Sequence, residues 1–212
     1  MNERLDREFR AHLRAHDTHF LEVIHRHPVL ALPEPRPPFE ALVRIVAGQQ
    51  LSVKAAATVF ERVKNVLNGD VSVASVTGNS PDALRSAGLS GAKSASVFAL
   101  AEFAGPGQRH LLELLERPWM EARSELLQVR GIGPWSVDMY AMFGLGRKDV
   151  FASGDLGLRV AMETHLGVAE KQKPAVYDQR ALCWSPYRTL ASLHLWHSLK
   201  PDHERYALDQ PR

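Results

Sequence analysis

Apolar positions recur at helical spacing along almost the whole chain. Leu5, Phe9, Leu13, Phe20, Val23 and Ile24 form an interrupted stripe that ends near His27-Pro28. Val29 to Pro38 is rich in proline and reads as a non-helical connector. Helices follow over 39–47 and 52–67, the second with Ser52 as its N-cap and Asn68-Gly69 as its left-handed stop. Ser80-Pro81-Asp82 starts another, which Gly88 ends. The spacing then predicts helices over 92–104, 109–115, 118–129, 135–143, 155–166, 174–184 and 186–198. Val71–Val76 alternates as a strand does, but no second alternating run exists to pair with it. The fold class is all-α, with about ten helices.

Composition narrows the function more than the fold. The 212 residues include 26 Lys+Arg and 24 Asp+Glu, a formal net charge of +2. Binding to nucleic acid would therefore need local geometry, because bulk charge does not supply it. A single cysteine, Cys183, excludes an internal disulfide, a cysteine-based zinc knuckle and a four-thiolate iron–sulfur cluster. No apolar run is long enough for a membrane helix, and MNERLDREFR lacks the apolar core of a secretory signal. A cytoplasmic location is expected, nucleoid-associated if the source is bacterial. His12/His16 and His194/His197 have one-face helical spacing, yet neither pair has an obvious third ligand nearby, so no metal site is expected.

The segment with most chemical content is Leu126-Leu127-Gln128-Val129-Arg130-Gly131-Ile132-Gly133-Pro134-Trp135-Ser136. One helix ends, two glycines flank an apolar residue, and a proline starts the next helix. Such a turn lets a phosphate approach main-chain N–H groups and a helix N-terminus. A plain helix–turn–helix corner with Ile132 plugged into the core fits the same residues. About 20 residues further on, Asp149-Val150-Phe151-Ala152-Ser153-Gly154-Asp155-Leu156-Gly157 places an aspartate at a helix start. Backbone N–H groups and the helix dipole keep such a carboxylate ionised, whether it only caps the helix or also does chemistry.

Hairpin, helix and aspartate-ended loop together resemble the helix-hairpin-helix DNA glycosylase superfamily. Gly48-Gln49-Gln50-Leu51-Ser52 upstream, and Trp184-Ser185-Pro186-Tyr187-Arg188 with Leu193-His194-Leu195-Trp196 downstream, extend the likeness to the 3-methyladenine DNA glycosylase II family. The resemblance implies two helical lobes with a DNA-binding cleft between them. Residues 36–147 would be a central lobe ending in the hairpin, and 1–35 plus 148–212 the second lobe. It implies hydrolysis of the N-glycosidic bond of alkylated bases (3-methyladenine/7-methylguanine type) in duplex DNA, with no cofactor, by a monomer and away from membranes.

In that family the aspartate at the position of Asp155 is catalytic. Bond cleavage builds positive charge on the deoxyribose, which a fixed carboxylate stabilises. Members that also cut the strand carry a lysine where this chain has Trp135, and an indole cannot form their Schiff base. The resemblance implies base-pocket roles for Trp135 and Trp196, which as amphipathic-helix tryptophans also suit a core, and for Met139, Gln49 and Gln50. Met139 stands where a relative has a tyrosine, which keeps oxidised, deaminated or mismatched bases open as substrates. A non-catalytic hairpin module is the further alternative. DNA contacts are expected from Arg130, Gly131, Ile132, Gly133 and Ser136. The loop Gly88–Lys93 matches the family's wedge, with Leu89 or Ser90 to fill the gap of a flipped base and Lys93 to meet a phosphate. Arg188 is expected to tie the loop near Asp155 by an ion pair.

Overall fold

The computed structural model describes residues 2–200, so the last twelve positions of the expected second lobe lie outside the described residues. Every regular element among the described residues is helical. The chain starts with α1 (Asn2–His16) and α2 (Thr18–Ile24). It continues through α3 (Pro38–Gly48), α4 (Val53–Val66), α5 (Val73–Thr77), α6 (Pro81–Ser86), α7 (Gly91–Ala104), α8 (Arg109–Leu115), α9 (Trp119–Leu126) and α10 (Pro134–Phe143). It ends with α11 (Leu156–His165), α12 (Pro174–Ala181) and α13 (Arg188–Ser198). Two compact units result, Met1–Pro33 with Gly146–Arg212, and Glu34–Leu145. No described helix is long and apolar enough to cross a membrane.

The helix count exceeds the ten or so read from spacing, for local reasons. Asp17 splits the N-terminal stripe by capping α2, accepting from the Phe20 N–H at 3.1 Å. The alternating VSVASV run is α5, a correction to its strand-like appearance. Ser72 caps that helix through the Ser75 N–H, and the Asp70 carboxylate accepts both serine hydroxyls at 2.8 and 2.6 Å. A satisfied cap outweighs β-pattern where no partner strand exists. Ser52, Ser80 and Asp155 cap α4, α6 and α11 as their positions suggest.

In the 34–145 unit, α3 lies on α4, α7 and α10. Phe39, Leu42, Val43 and Val46 on α3 share one core with Phe60, Val63, Val97, Leu100, Val137 and Tyr140. In the other unit, α13 packs on α2 and α11, burying Phe9, Leu13, Phe20, Leu158, Met162, Trp184 and Leu195.

That second core also encloses polar groups. His194 is fully buried, stacked on Phe9 at 5.6 Å between ring centroids and 3.7 Å from Asp6. Burial pushes the imidazole below its ordinary pKa of 6.5, against the opposing pull of Asp6. The neutral ring is the one the fold accepts. Below about pH 6.5 the unfolded chain binds this proton and the folded chain resists it, so stability falls as pH falls through that window. Urea unfolding at pH 7.5 and 5.5 should show lower stability at the acid value, and His194→Gln should reduce that difference. An equal difference in both proteins would exclude His194 as its source.

Candidate active site

Asp155 ends a loop that is clamped before α11 begins. The Arg188 guanidinium grips Asp149 with two contacts, Nε to Oδ1 at 2.7 Å and Nη2 to Oδ2 at 2.9 Å. The Ser185 hydroxyl adds a third at 2.8 Å. Partial burial works against ionisation of Asp149, but these donors win and hold the carboxyl below its usual value. The expected Arg188 ion pair is therefore present, with Asp149 as its partner. Thr189 ties the same loop, donating to the Arg147 carbonyl at 2.7 Å and accepting from the Val150 N–H at 3.1 Å.

Within this frame Asp155 Oδ1 accepts from the Leu158 N–H at 3.0 Å, the helix cap, and from the Trp196 indole N–H at 2.9 Å. The indole passes close over Gly157 to reach it. A Cβ there would stand 3.1 Å from both Asp155 Oδ1 and the indole Cδ1 and Nε1. Two donors on one oxygen fix the direction of a half-exposed carboxylate. Trp196, expected from the resemblance as a base-pocket aromatic, has its N–H committed to Asp155. Gly157 was not singled out from the sequence. Its meaning depends on an indole 39 positions further along, and no local pattern signals that.

The 34–145 unit holds the hairpin. Gly131 has φ +81°, and a Cβ there would lie 2.0 Å from Ser96 Oγ and 2.7 Å from Ser96 Cβ on α7. Backbone and serine are in direct contact, so only glycine fits. Gly133, by contrast, is extended, and a Cβ there would meet nothing within 4 Å. Ile132 is buried in the core, and its N–H donates to the Val129 carbonyl at 3.0 Å, closing the turn. Arg130 is exposed and Ser136 buried. Helix α10 begins at Pro134, and the first-turn N–H groups of a helix lack intrahelical acceptors.

Beside the hairpin lies a mainly apolar cavity of about 320 Å³, whose walls include Trp135, Met139, Phe143, Leu51 and Arg44. The Arg44 guanidinium lies 4.9 Å from the Phe60 ring centroid. Trp135 and Met139, both expected in a base pocket, line this one cavity. Gln49 and Gln50 are not on its walls. The Gln49 amide turns to the hairpin instead, donating to the Gly131 carbonyl and the Ser136 hydroxyl, each at 2.9 Å. Gln50 is exposed, with φ +57°.

The loop 88–93 corrects the expected contacts. Leu89 is only 4% exposed and belongs to the core, so its side chain does not project. Ser90 caps α7 through the Lys93 N–H. The Lys93 ammonium, expected at a phosphate, donates to the carbonyls of Ala47 and Gln49 at 2.9 and 2.7 Å. No group of three or more His, Cys, Asp or Glu side chains that could hold a metal occurs among the described residues.

Comparison with known proteins places the chain. The family described as HhH-GPD superfamily base excision DNA repair protein matches residues 43–186, which include both the hairpin and Asp155. The chain belongs to this family of DNA repair proteins. It is 33% identical to DNA-3-methyladenine glycosylase 1 of Schizosaccharomyces pombe, over 79% of this chain and 75% of that one. A probable bifunctional transcriptional activator/DNA repair enzyme of Mycobacterium tuberculosis is 31% identical over 84% of this chain, but only 37% of its own length is matched. Among solved structures, S. pombe 3-methyladenine DNA glycosylase in complex with abasic DNA superposes with a TM-score of 0.77 at 27% identity. That match covers 89% of this chain and 95% of that one. The DNA-3-methyladenine glycosidase of Bacillus halodurans gives a TM-score of 0.73 at 31% identity, covering 91% and 89%.

Proposed function

We propose that the protein is a monofunctional DNA glycosylase that hydrolyses the N-glycosidic bond of alkylated bases of the 3-methyladenine/7-methylguanine type in duplex DNA, the first step of base excision repair. The observation that carries this reading is Asp155. A carboxylate held by the Leu158 N–H and the Trp196 indole is a preorganised anion. As the base leaves, positive charge develops on the deoxyribose, and this carboxylate stabilises it and orients the attacking water. In a non-catalytic hairpin module the same carboxylate would only cap α11 and hold the indole.

The other roles follow the same reading. Main-chain groups of Arg130–Gly133 and the start of α10 hold a DNA phosphate, with Ser136 beneath them. The cavity beside Trp135 and Met139 receives the extruded base, and an aromatic face favours an electron-poor methylated ring. Because Met139 stands on this wall where a relative has a tyrosine, deaminated, oxidised or mismatched bases are the second substrate reading. The protein acts as a monomer in the cytoplasm, on DNA and away from membranes.

A base-release assay across duplexes bearing 3-methyladenine, 7-methylguanine, ethenoadenine, hypoxanthine and 8-oxoguanine tests the reading. Release of methylated purines with an intact, alkali-labile strand is the expected result. Borohydride should trap no protein–DNA adduct, because Trp135 supplies no amine and the Lys93 ammonium is engaged by two carbonyls. Binding without release of any base would leave the hairpin module as the function. An efficient adduct would overturn the monofunctional assignment.

A further inference from the structure

The face of α7 that bears Lys93 and Ser96, three residues apart, is the bed for two segments distant in sequence. Lys93 reaches the last turn of α3 and the residue after it, where its ammonium joins the carbonyls of Ala47 and Gln49. A helix C-terminus leaves such carbonyls without intrahelical donors and favours a cation there. Ser96 lies against Gly131 with no room for a methyl group between them. Gln49 then closes the loop: its main chain is held by Lys93, and its amide holds the Gly131 carbonyl and the Ser136 hydroxyl.

The corner after α3 is itself tight. A Cβ on Gly48 would come within 3.2 Å of Ala56 Cβ, and Gln50 has a left-handed backbone. Gly48 and Leu51 from this corner face the cavity together with Trp135 from α10. The hairpin and the cavity wall are therefore referred to a single cationic anchor.

We infer that Lys93 is a positioning residue that, through Gln49, fixes the hairpin against the wall of the base cavity. Its substrate consequence rests on the glycosylase reading above. The role differs from a phosphate contact in what it controls. A lost phosphate contact weakens DNA binding and reduces its salt dependence, while the saturated rate survives. A displaced corner leaves the charge-dependent binding and slows the reaction, because reacting groups misplaced by about 1 Å cost up to roughly 100-fold.

The test uses the full chain, with Lys93→Met to keep the aliphatic stem and remove the donors, and Lys93→Arg to restore them. Single-turnover excision at saturating lesion duplex should fall about 10-fold to 100-fold in Lys93→Met. Its Kd for undamaged duplex and its salt slope should stay within about 3-fold of wild type, while Lys93→Arg recovers most of the rate. Hydrogen exchange at the amides of residues 131–136 should accelerate in Lys93→Met and not in Lys93→Arg. Exchange reads the anchor whether or not the wild type excises a base, so an inactive wild type would defeat the glycosylase reading alone. Unchanged exchange in Lys93→Met, or weakened binding with an intact saturated rate, would overturn the inference. If Lys93→Met does not fold, Gln49→Leu removes only the amide that meets the hairpin. It should give the same loss of rate and faster exchange, and wild-type values for both would overturn the inference equally.

Discussion

Asp155→Asn should retain lesion-DNA binding and lose excision by about 100-fold or more, the range for removing one preorganised electrostatic contact. Two of the donors to the Asp155 carboxylate, the Leu158 N–H and the Trp196 indole, meet the same oxygen, Oδ1. An asparagine carbonyl in that place accepts both hydrogen bonds, so the α11 cap and the indole stay where they are. What disappears is the negative charge, and with it the stabilisation of a cationic sugar. Thermal melting should differ little from wild type, and affinity for duplex with an abasic-site analogue should persist. Excision within a few-fold of wild type would remove Asp155 from the chemistry.

The two hairpin glycines should respond in opposite ways. Gly131→Ala should destabilise the protein by about 2–5 kcal/mol, because a methyl group is forced into Ser96 at a backbone angle that side chains resist. For a chain of this size that lowers Tm by roughly 5–15 °C. Rotation of the Ser96 hydroxyl gives no escape, since Ser96 Cβ itself would stand 2.7 Å from the new atom. Gly133→Val places its side chain in open space on an extended backbone, so Tm should stay within a few degrees. The isopropyl group then stands where a phosphate would approach, and binding to all duplexes should weaken alike without a change in lesion preference. A folded Gly133→Val protein with unchanged affinity would rule out the main-chain contact. A wild-type melting curve for Gly131→Ala would show that the seat on α7 is not close.

The residues legible in the sequence were those whose partners lie within a turn. Asp155 as a cap and Ser52 and Ser80 at their helix starts follow from neighbours three positions away; the hairpin glycines were legible as a turn, but the contact that requires glycine at 131 is with Ser96, 35 residues upstream. Lys93 was misread for the opposite reason. A lysine in the first turn of a helix beside the wedge loop reads as a phosphate contact, while its acceptors lie 44 and 46 residues upstream. Leu89 sits between Gly88 and Ser90 in a short loop, and only the packing of the 34–145 core shows that it is buried. For Trp196 the helical position was evident, but its hydrogen-bond partner is 41 residues distant. The α5 segment shows pattern losing to local chemistry, since two serines and an aspartate satisfy a helix start that alternation alone does not reveal.

The missing side chain at position 157 makes two choices of residue into one. The indole leans closely over that backbone where no side chain projects, and from there it holds the carboxylate. A smaller ring at 196 would relax the contact at 157, and a side chain at 157 would make the indole give by a few tenths of an ångström at its hydrogen bond. Changes at the two positions are therefore non-additive, and a variant library that samples them separately would misjudge both.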